Sequence, residues 1–219
     1  MSQFIIVPYQ KEDDEAIRNL LVESFHGKFH SLVNLDDKDI IELLMETGMD
    51  DSNHSAKKQM VIKENEKVVG TILLKWKEDS SSNNTTTNMD VMHLFKRFGF
   101  INVLKFIIGM RFLEYQPKEH ECYIDHIAIH SSYRNKGIGT LLLTWSKNHI
   151  HNHTEFEQLT LYVSDTNKHA IHLYEKMGFC IKKSKYNLMR HLFFKEKKWH
   201  FMTWKVKRNT RSETHEKTL

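Results

Sequence analysis

The stretch that decides the fold is Cys122-Tyr123-Ile124-Asp125-His126-Ile127-Ala128-Ile129, followed after a short link by Arg134-Asn135-Lys136-Gly137-Ile138-Gly139-Thr140. Its first part is rich in β-branched and aromatic residues and predicts a strand. Its second part predicts a glycine-containing turn and the start of a helix that runs on through Leu141, Leu142 and Trp145. Glycines in such a turn let the backbone approach a ligand while the first helical N–H groups point outward, an arrangement that binds phosphate oxygens. The same glycines also serve a turn that merely needs positive φ or close packing. There is no third glycine for the dinucleotide fingerprint and no Gly-Lys-Ser/Thr for a P-loop, so those two phosphate sites are excluded.

Downstream, Leu159 to Val163 predicts a strand, and Asn167 to Met177 a helix ended by Gly178. Strand, turn, helix, strand, helix is a βαβα unit with the turn at the carboxyl end of its first strand. Two final strands are expected at Cys180 to Tyr186 and Trp199 to Val206, with a polar end beyond Lys207. Upstream, Phe4 to Val7 reads as a strand. Ala16, Ile17, Leu20, Leu21 and Phe25 follow Asp13 and Asp14 at helical spacing, and Met60 to Leu73 reads as a hairpin about the polar turn Glu64 to Lys67. Asp79 to Asn88 is almost wholly Ser, Asn and Thr and reads as a loop. Val91 to Leu113 is apolar but broken by Lys96, Arg97, Lys105 and Arg111, which leaves no run long enough to span a membrane. One or two amphipathic helices on a core is the simplest reading of it; a lid over a substrate channel or a membrane-surface helix are the alternatives.

Arg134-x-x-Gly137-x-Gly139 after the Ile124 to Ile129 strand resembles the acyl-CoA pyrophosphate loop of the GNAT acetyltransferase superfamily. Asn167-x-x-Ala170-x-x-Leu173-Tyr174-x-x-x-Gly178-Phe179 is similar to that superfamily's second block, in the expected order and distance. The resemblance covers Cys122 to about Cys180. It implies an α+β fold: a mixed, largely antiparallel sheet with a splayed central parallel strand pair and helices on both faces. Residues 1–206 are expected to form the acyltransferase domain and 207–219 a disordered polar tail.

The resemblance also implies a chemistry, in which acetyl-CoA or another short acyl-CoA is the co-substrate. Backbone groups of Ile127, Ala128 and Ile129 would border its pantetheine arm. The N–H groups of Arg134, Asn135, Lys136, Gly137, Ile138, Gly139 and Thr140 would hold its pyrophosphate. Asn167 would hydrogen-bond the pantetheine, and the Tyr174 hydroxyl would protonate the leaving thiolate. A neutral amine, on a small molecule or a protein, would attack the thioester directly. By period two, Tyr123, Asp125, Ile127 and Ile129 share one face, and Asp125 is their only carboxylate. Some family members place acid–base residues at the positions of Tyr123 and Asp125, so Asp125 is the expected general base, with His126 second. An Asp that satisfies backbone N–H groups at a strand splay is the plain alternative. Ribosomal-protein alanine acetyltransferases carry a catalytic Glu where this sequence has Tyr162, so the resemblance does not by itself imply that narrower identity. An acyl-CoA-binding protein without catalysis, acting as a sensor or scaffold, is the other function class.

The rest of the sequence adds little against this reading. The 219 residues carry a formal net charge of +4, too mild an excess to imply nucleic acid. Basic residues interleaved with aromatics between Lys182 and Arg211 read as a half-buried strand with a solvated side rather than a nucleic-acid face. Cys122 and Cys180 have no zinc or CxxC spacing, and Met1 to Pro8 lacks an export signal, which gives the expectation of reduced thiols and a cytoplasmic protein. His149, His151 and His153 end a helix and suit its negative pole, so no metal site is expected. A homodimer is compatible with all of this.

Overall fold

Asn65 and Glu66 both take positive φ, 48° and 64°, the backbone of a two-residue hairpin turn whose twist matches the strands it joins. They link β2 (Lys57–Glu64) to β3 (Lys67–Trp76). With β1 (Ile5–Pro8), β4 (Glu121–Ile129), β5 (Gln158–Ser164), β6 (Cys180–Tyr186) and β7 (Lys198–Lys205) they form one sheet in the order β1-β2-β3-β4-β5-β7-β6. Every neighbouring pair is antiparallel except β4 and β5, which are parallel. The computed structural model describes residues 4–48, 57–77 and 90–208. The expected loop from Asp79 to Asn88 and the last residues of the expected tail lie outside the described residues.

The register sorts the strand residues onto two faces. Ile72, Leu74, Ile124, Leu159, Leu161 and Met202 share one buried cluster with Ile138, Leu142, Leu143 and Ile150 of α6 (Ile138–His151) and Ile171 of α7 (Lys168–Lys176). Each such side chain, fully buried, contributes roughly 1.5–3 kcal/mol. On the other face Val61, Val68 and Ala128 meet Ile17, Leu20 and Leu21 of α1 (Asp14–Ser24).

Beside α1 lies a second core with no strand residue among its buried members. It joins α2 (His26–Leu32), α3 (Asp37–Thr47), α4 (Val91–Phe98), α5 (Phe100–Leu113) and α8 (Leu188–Phe194) through Phe29, Leu43, Leu94, Phe106 and Phe194. The Val91 to Leu113 segment is thus two helices, broken at Gly99 with φ 82°. A Cβ on Gly109 would sit 2.3 Å from Leu32 Cδ1, so glycine is what lets α5 approach α2. Among the described residues no helix is long and apolar enough to cross a membrane.

One expectation for the basic C-terminal segment is corrected. Between β6 and β7 the chain is not strand but α8. The Asn187 side chain accepts from the Arg190 N–H at 3.0 Å to cap it, and Lys195 ends it with φ 56°.

Candidate active site

β4 and β5 pair only from Glu121↔Gln158 to Ile124↔Leu161. Beyond that point Tyr162, Val163 and Ser164 pair with β7, while β4 from His126 to Ile129 pairs with β3 alone. A gap therefore opens between the two parallel strands, with an unpaired edge of β4 on one side. The His130 N–H donates to the Val69 carbonyl at 3.0 Å, toward β3. By strand alternation Ile127 and Ile129 turn their amides and carbonyls toward the gap. Arg134 Nε donates to the Ile129 carbonyl there at 3.2 Å. Ala128, between them, directs its backbone to β3 and its methyl to the α1 side, so it borders the opening only through its neighbours.

The opening coincides with a β-bulge. Leu73 pairs with His126 and Leu74 with Ile124, so Asp125 is the extra residue on β4. The bulge corrects the expected common face. Tyr123 pairs with Lys75 and looks to the α1 side, whereas Ile127 and Ile129 pack on the α6 and α7 side. Asp125 itself is ion-paired with Lys75 and lies 3.3 Å from His126 Nδ1. Burial works to raise the Asp125 carboxyl pKa. The hydrogen bond from His126 and the Lys75 charge outweigh it and hold the group well below the usual carboxylate range. His126 Nε2 is buried with no hydrogen-bond partner. If Nδ1 carries the proton toward Asp125, Nε2 is left as a bare acceptor.

At the carboxyl end of β4 the chain makes the turn expected for phosphate. Asn135 and Gly137 both take positive φ, 62° and 82°, and α6 starts at Ile138 with no side chain capping it. The first-turn N–H groups of a helix have no intrahelical partner, so those of Ile138, Gly139 and Thr140 face outward at the positive pole of α6. The two glycines do different work. A Cβ on Gly137 would meet nothing within 4 Å, and left-handed backbone is what selects glycine there. A Cβ on Gly139 would lie 2.8 Å from Leu173 Cδ2 and 3.4 Å from Ile129 Cδ1, so this glycine sets how closely α6 packs on α7 and β4.

The second block also has a structural explanation. Asn167 accepts from the Ala170 N–H at 3.2 Å and caps α7, which leaves its amide group to donate elsewhere. Gly178 has φ 81°, its N–H bonds the Glu175 carbonyl at 2.8 Å, and the Phe179 N–H bonds the Tyr174 carbonyl at 2.9 Å. This is a Schellman ending, and the hydrophobic contact that accompanies it is Phe179 against Tyr174, with ring centroids 5.8 Å apart. The Gly178-Phe179 pair thereby fixes the Tyr174 ring. Burial pushes the Tyr174 phenol up to about 12, so at neutral pH it is a proton donor.

Two members of the histidine run have partners within the protein. His149 stacks on Trp145 at 5.2 Å, His153 Nδ1 meets the His149 carbonyl at 2.6 Å, and burial with the nearby Lys58 charge takes His149 down to about 4. Among the described residues, the group with metal-ligand atoms within reach of one another is His26, His30 and Asp37, exposed on α2 and α3. There Asp37 Oδ1 lies 2.8 Å from His30 Nε2, at hydrogen-bond distance.

Sequence reasoning overlooked a polar cluster on the α1 side of the gap. Arg190 of α8 lies over the rings of Tyr162 and Trp199, and Lys28 of α2 over that of Trp199. Tyr123 is within electrostatic reach of both Asp125 and Arg190, and burial first of all pushes its phenol far up. Within a segment so rich in Lys and Arg, nothing in the sequence marks Arg190 as the buried one.

A scan of protein families matches the acetyltransferase (GNAT) family over residues 15–179, from the first turn of α1 to the Phe179 that closes α7. No curated protein matches the sequence. Among solved structures, a GNAT-family acetyltransferase from Streptococcus pneumoniae superposes with TM-score 0.56 and 18% identity, covering 94% of this chain and 100% of that one. The ribosomal-protein-S18-alanine N-acetyltransferase of Escherichia coli gives 0.58 and 12%, over 97% of this chain and 100% of its own. Spermidine N-acetyltransferase from Vibrio cholerae, in complex with CoA and spermine, gives 0.54 and 15%, over 93% and 95%. These likenesses establish the fold: an α+β mixed sheet, largely antiparallel, with one parallel pair. With the family match spanning most of the chain, they identify this protein as a member of the GNAT acetyltransferase family.

Proposed function

We propose that the chain is an acetyl-CoA-dependent N-acetyltransferase that transfers the acetyl group to a primary amine by direct attack, with residues 1–206 as the catalytic domain. The observation that carries this reading is the gap between β4 and β5, bordered by the turned-out backbone of Ile127 and Ile129 and leading to the uncapped start of α6. An extended pantetheine arm fits there as an added strand, with its pyrophosphate on the amides of residues 134–140 and the Asn167 amide on a pantetheine carbonyl.

The chain's own groups suffice for the proton movements. The amine reaches the gap from the α1 side as its ammonium form and gives one proton to His126 Nε2, whose ring Asp125 orients through Nδ1, which leaves the neutral amine as nucleophile. Nitrogen then bonds to the thioester carbonyl carbon, whose oxygen is polarised by strand N–H groups. As the C–S bond breaks, the Tyr174 phenol protonates the sulfur, the extra proton on the newly bonded nitrogen passes to the Tyr174 oxygen directly or through water, and the amide and free thiol leave. Asp125, expected as the base itself, acts in this reading as the partner of His126, because a carboxylate held so acidic is a poor proton acceptor.

The test is thiol release from acetyl-CoA across a set of amines and peptides, alongside CoA binding by calorimetry. Transfer to at least one acceptor, abolished without acceptor, is expected. Tight CoA binding with no transfer to any of them would instead favour a silent acyl-CoA sensor.

A further inference from the structure

Arg190 is 8% exposed, and its guanidinium carbon lies 5.1 Å from the Tyr162 ring centroid and 4.8 Å from that of Trp199. Nε donates to the Phe112 carbonyl at the end of α5, at 2.9 Å, which fixes the plane of the head group. Among the described residues the two terminal nitrogens make no hydrogen bond or ion pair. Lys28 comes from α2 to the same indole, Nζ 4.8 Å from its centroid, and likewise has no carboxylate in ion-pair contact among the described residues. Glu196 is the one carboxylate whose charge is felt by both. Its Oε2, like Trp199 Nε1, is buried without a hydrogen-bond partner. Asp125 does not balance the pair, because its charge is committed to Lys75.

A mostly buried guanidinium and a half-buried ammonium that share one carboxylate favour the arrival of a further anion. A guanidinium anchored by Nε with both terminal nitrogens free presents the paired donors that carboxylate and phosphate oxygens accept. The indole N–H adds a neutral donor in the same place. Tyr123 links this cluster to the reacting end of the gap, since it feels the charges of both Asp125 and Arg190.

We propose that this cluster selects the acceptor: the substrate is an amine that also carries a carboxylate or a phosphate, its anion seated on Arg190 and Lys28 against Trp199 and its amine directed to His126 and Asp125. The inference rests on the acetyltransferase reading above. A polyamine, cationic along its length, meets like charge at the same place and is disfavoured.

The experiment measures thiol release from acetyl-CoA with straight-chain amines ending in methyl, carboxylate or phosphonate, and with spermidine. At least about a tenfold higher kcat/KM is expected for one anionic series over the methyl series of equal length, and spermidine is expected to be poorest. The better anionic arm tells carboxylate from phosphate. Arg190→Gln and Lys28→Met should each reduce the anionic-to-methyl ratio about tenfold. If Arg190→Gln melts early because α8 loses its tie to Phe112, Lys28→Met, which breaks no backbone bond, decides alone. A ratio near one that neither folded variant moves, or spermidine as best acceptor, overturns the inference while leaving the acetyltransferase reading intact. CoA binding without transfer to any amine overturns that reading, and this inference with it.

Discussion

On the face of the sheet covered by α6 and α7, motif residues do local structural work: Gly137 closes a turn, Gly139 sets a close approach, Asn167 caps a helix and Gly178 ends one. On the α1 side, the helical core of α2 to α5 and α8 is filled by side chains that other apolar residues of similar size could replace. Beside it sits a polar cluster of Lys28, Tyr123, Tyr162, Arg190 and Trp199, drawn from α2, β4, β5, α8 and β7. The difference teaches that the side built from local motifs is the one on which the proposed function places the cofactor, whereas the side built from long-range packing is the one on which it places acceptor selection.

If the two sides divide the work in this way, variants should separate by side. The largest effect is expected at Tyr174→Phe, which keeps the contact with Phe179 but removes the proton donor. It should lower kcat by about 10²–10⁴ while CoA affinity, read by calorimetry, moves far less. Equal losses in both would mean that the hydroxyl binds rather than reacts. Next is Phe106→Ala in the helical core, expected to cost about 3–5 kcal/mol in denaturant unfolding. At temperatures where the variant is folded its CoA affinity should match the parent's, and a large loss would join the two sides after all.

A smaller loss is expected for Gly139→Val, where a Cβ must displace Leu173. About 1–3 kcal/mol of stability should go, with weaker CoA binding because α6 shifts on β4. Unchanged CoA affinity would show that the turn tolerates that shift. The smallest effect concerns acid stability. Despite its burial, Asp125 is held below its ordinary pKa by His126 and Lys75. Its folded pKa is therefore lower than its unfolded one, and the stabilisation is present above about pH 4 and lost as pH falls further. Asp125→Asn should flatten the fall in melting temperature below about pH 4. An unaltered acid limb would mean that the Lys75 contact adds nothing to stability.

The α6 and α7 side was legible in the sequence because its signals are local: the glycine turn, the Asn167 cap and the Gly178-Phe179 ending each lie within one turn of the element they define. The bulge at Asp125 was not, since it arises from how β4 pairs with Leu73 and Leu74 on another strand, and period-two reading of β4 alone passes over it. For the same reason Tyr123 and Ile127 were placed on one face and lie on two. α8 was missed because alternating basic and apolar residues from Lys182 onward read as strand. What makes Leu188 to Phe194 a helix is the Asn187 cap and its packing on α5 through Phe112 and Phe193, whose rings are 5.5 Å apart. Arg190 became a candidate site residue only through that packing.

The central claim is that acyl-CoA lies along the open edge of β4 with its pyrophosphate on the first turn of α6. Backbone hydrogen exchange with and without acetyl-CoA reads it most directly. Exchange should slow at the amides of Ile127, Ile129 and residues 137–140 and change little in α3 and α4. Protection confined to other elements, or none at saturating acetyl-CoA, would contradict the placement of the cofactor and the function that rests on it.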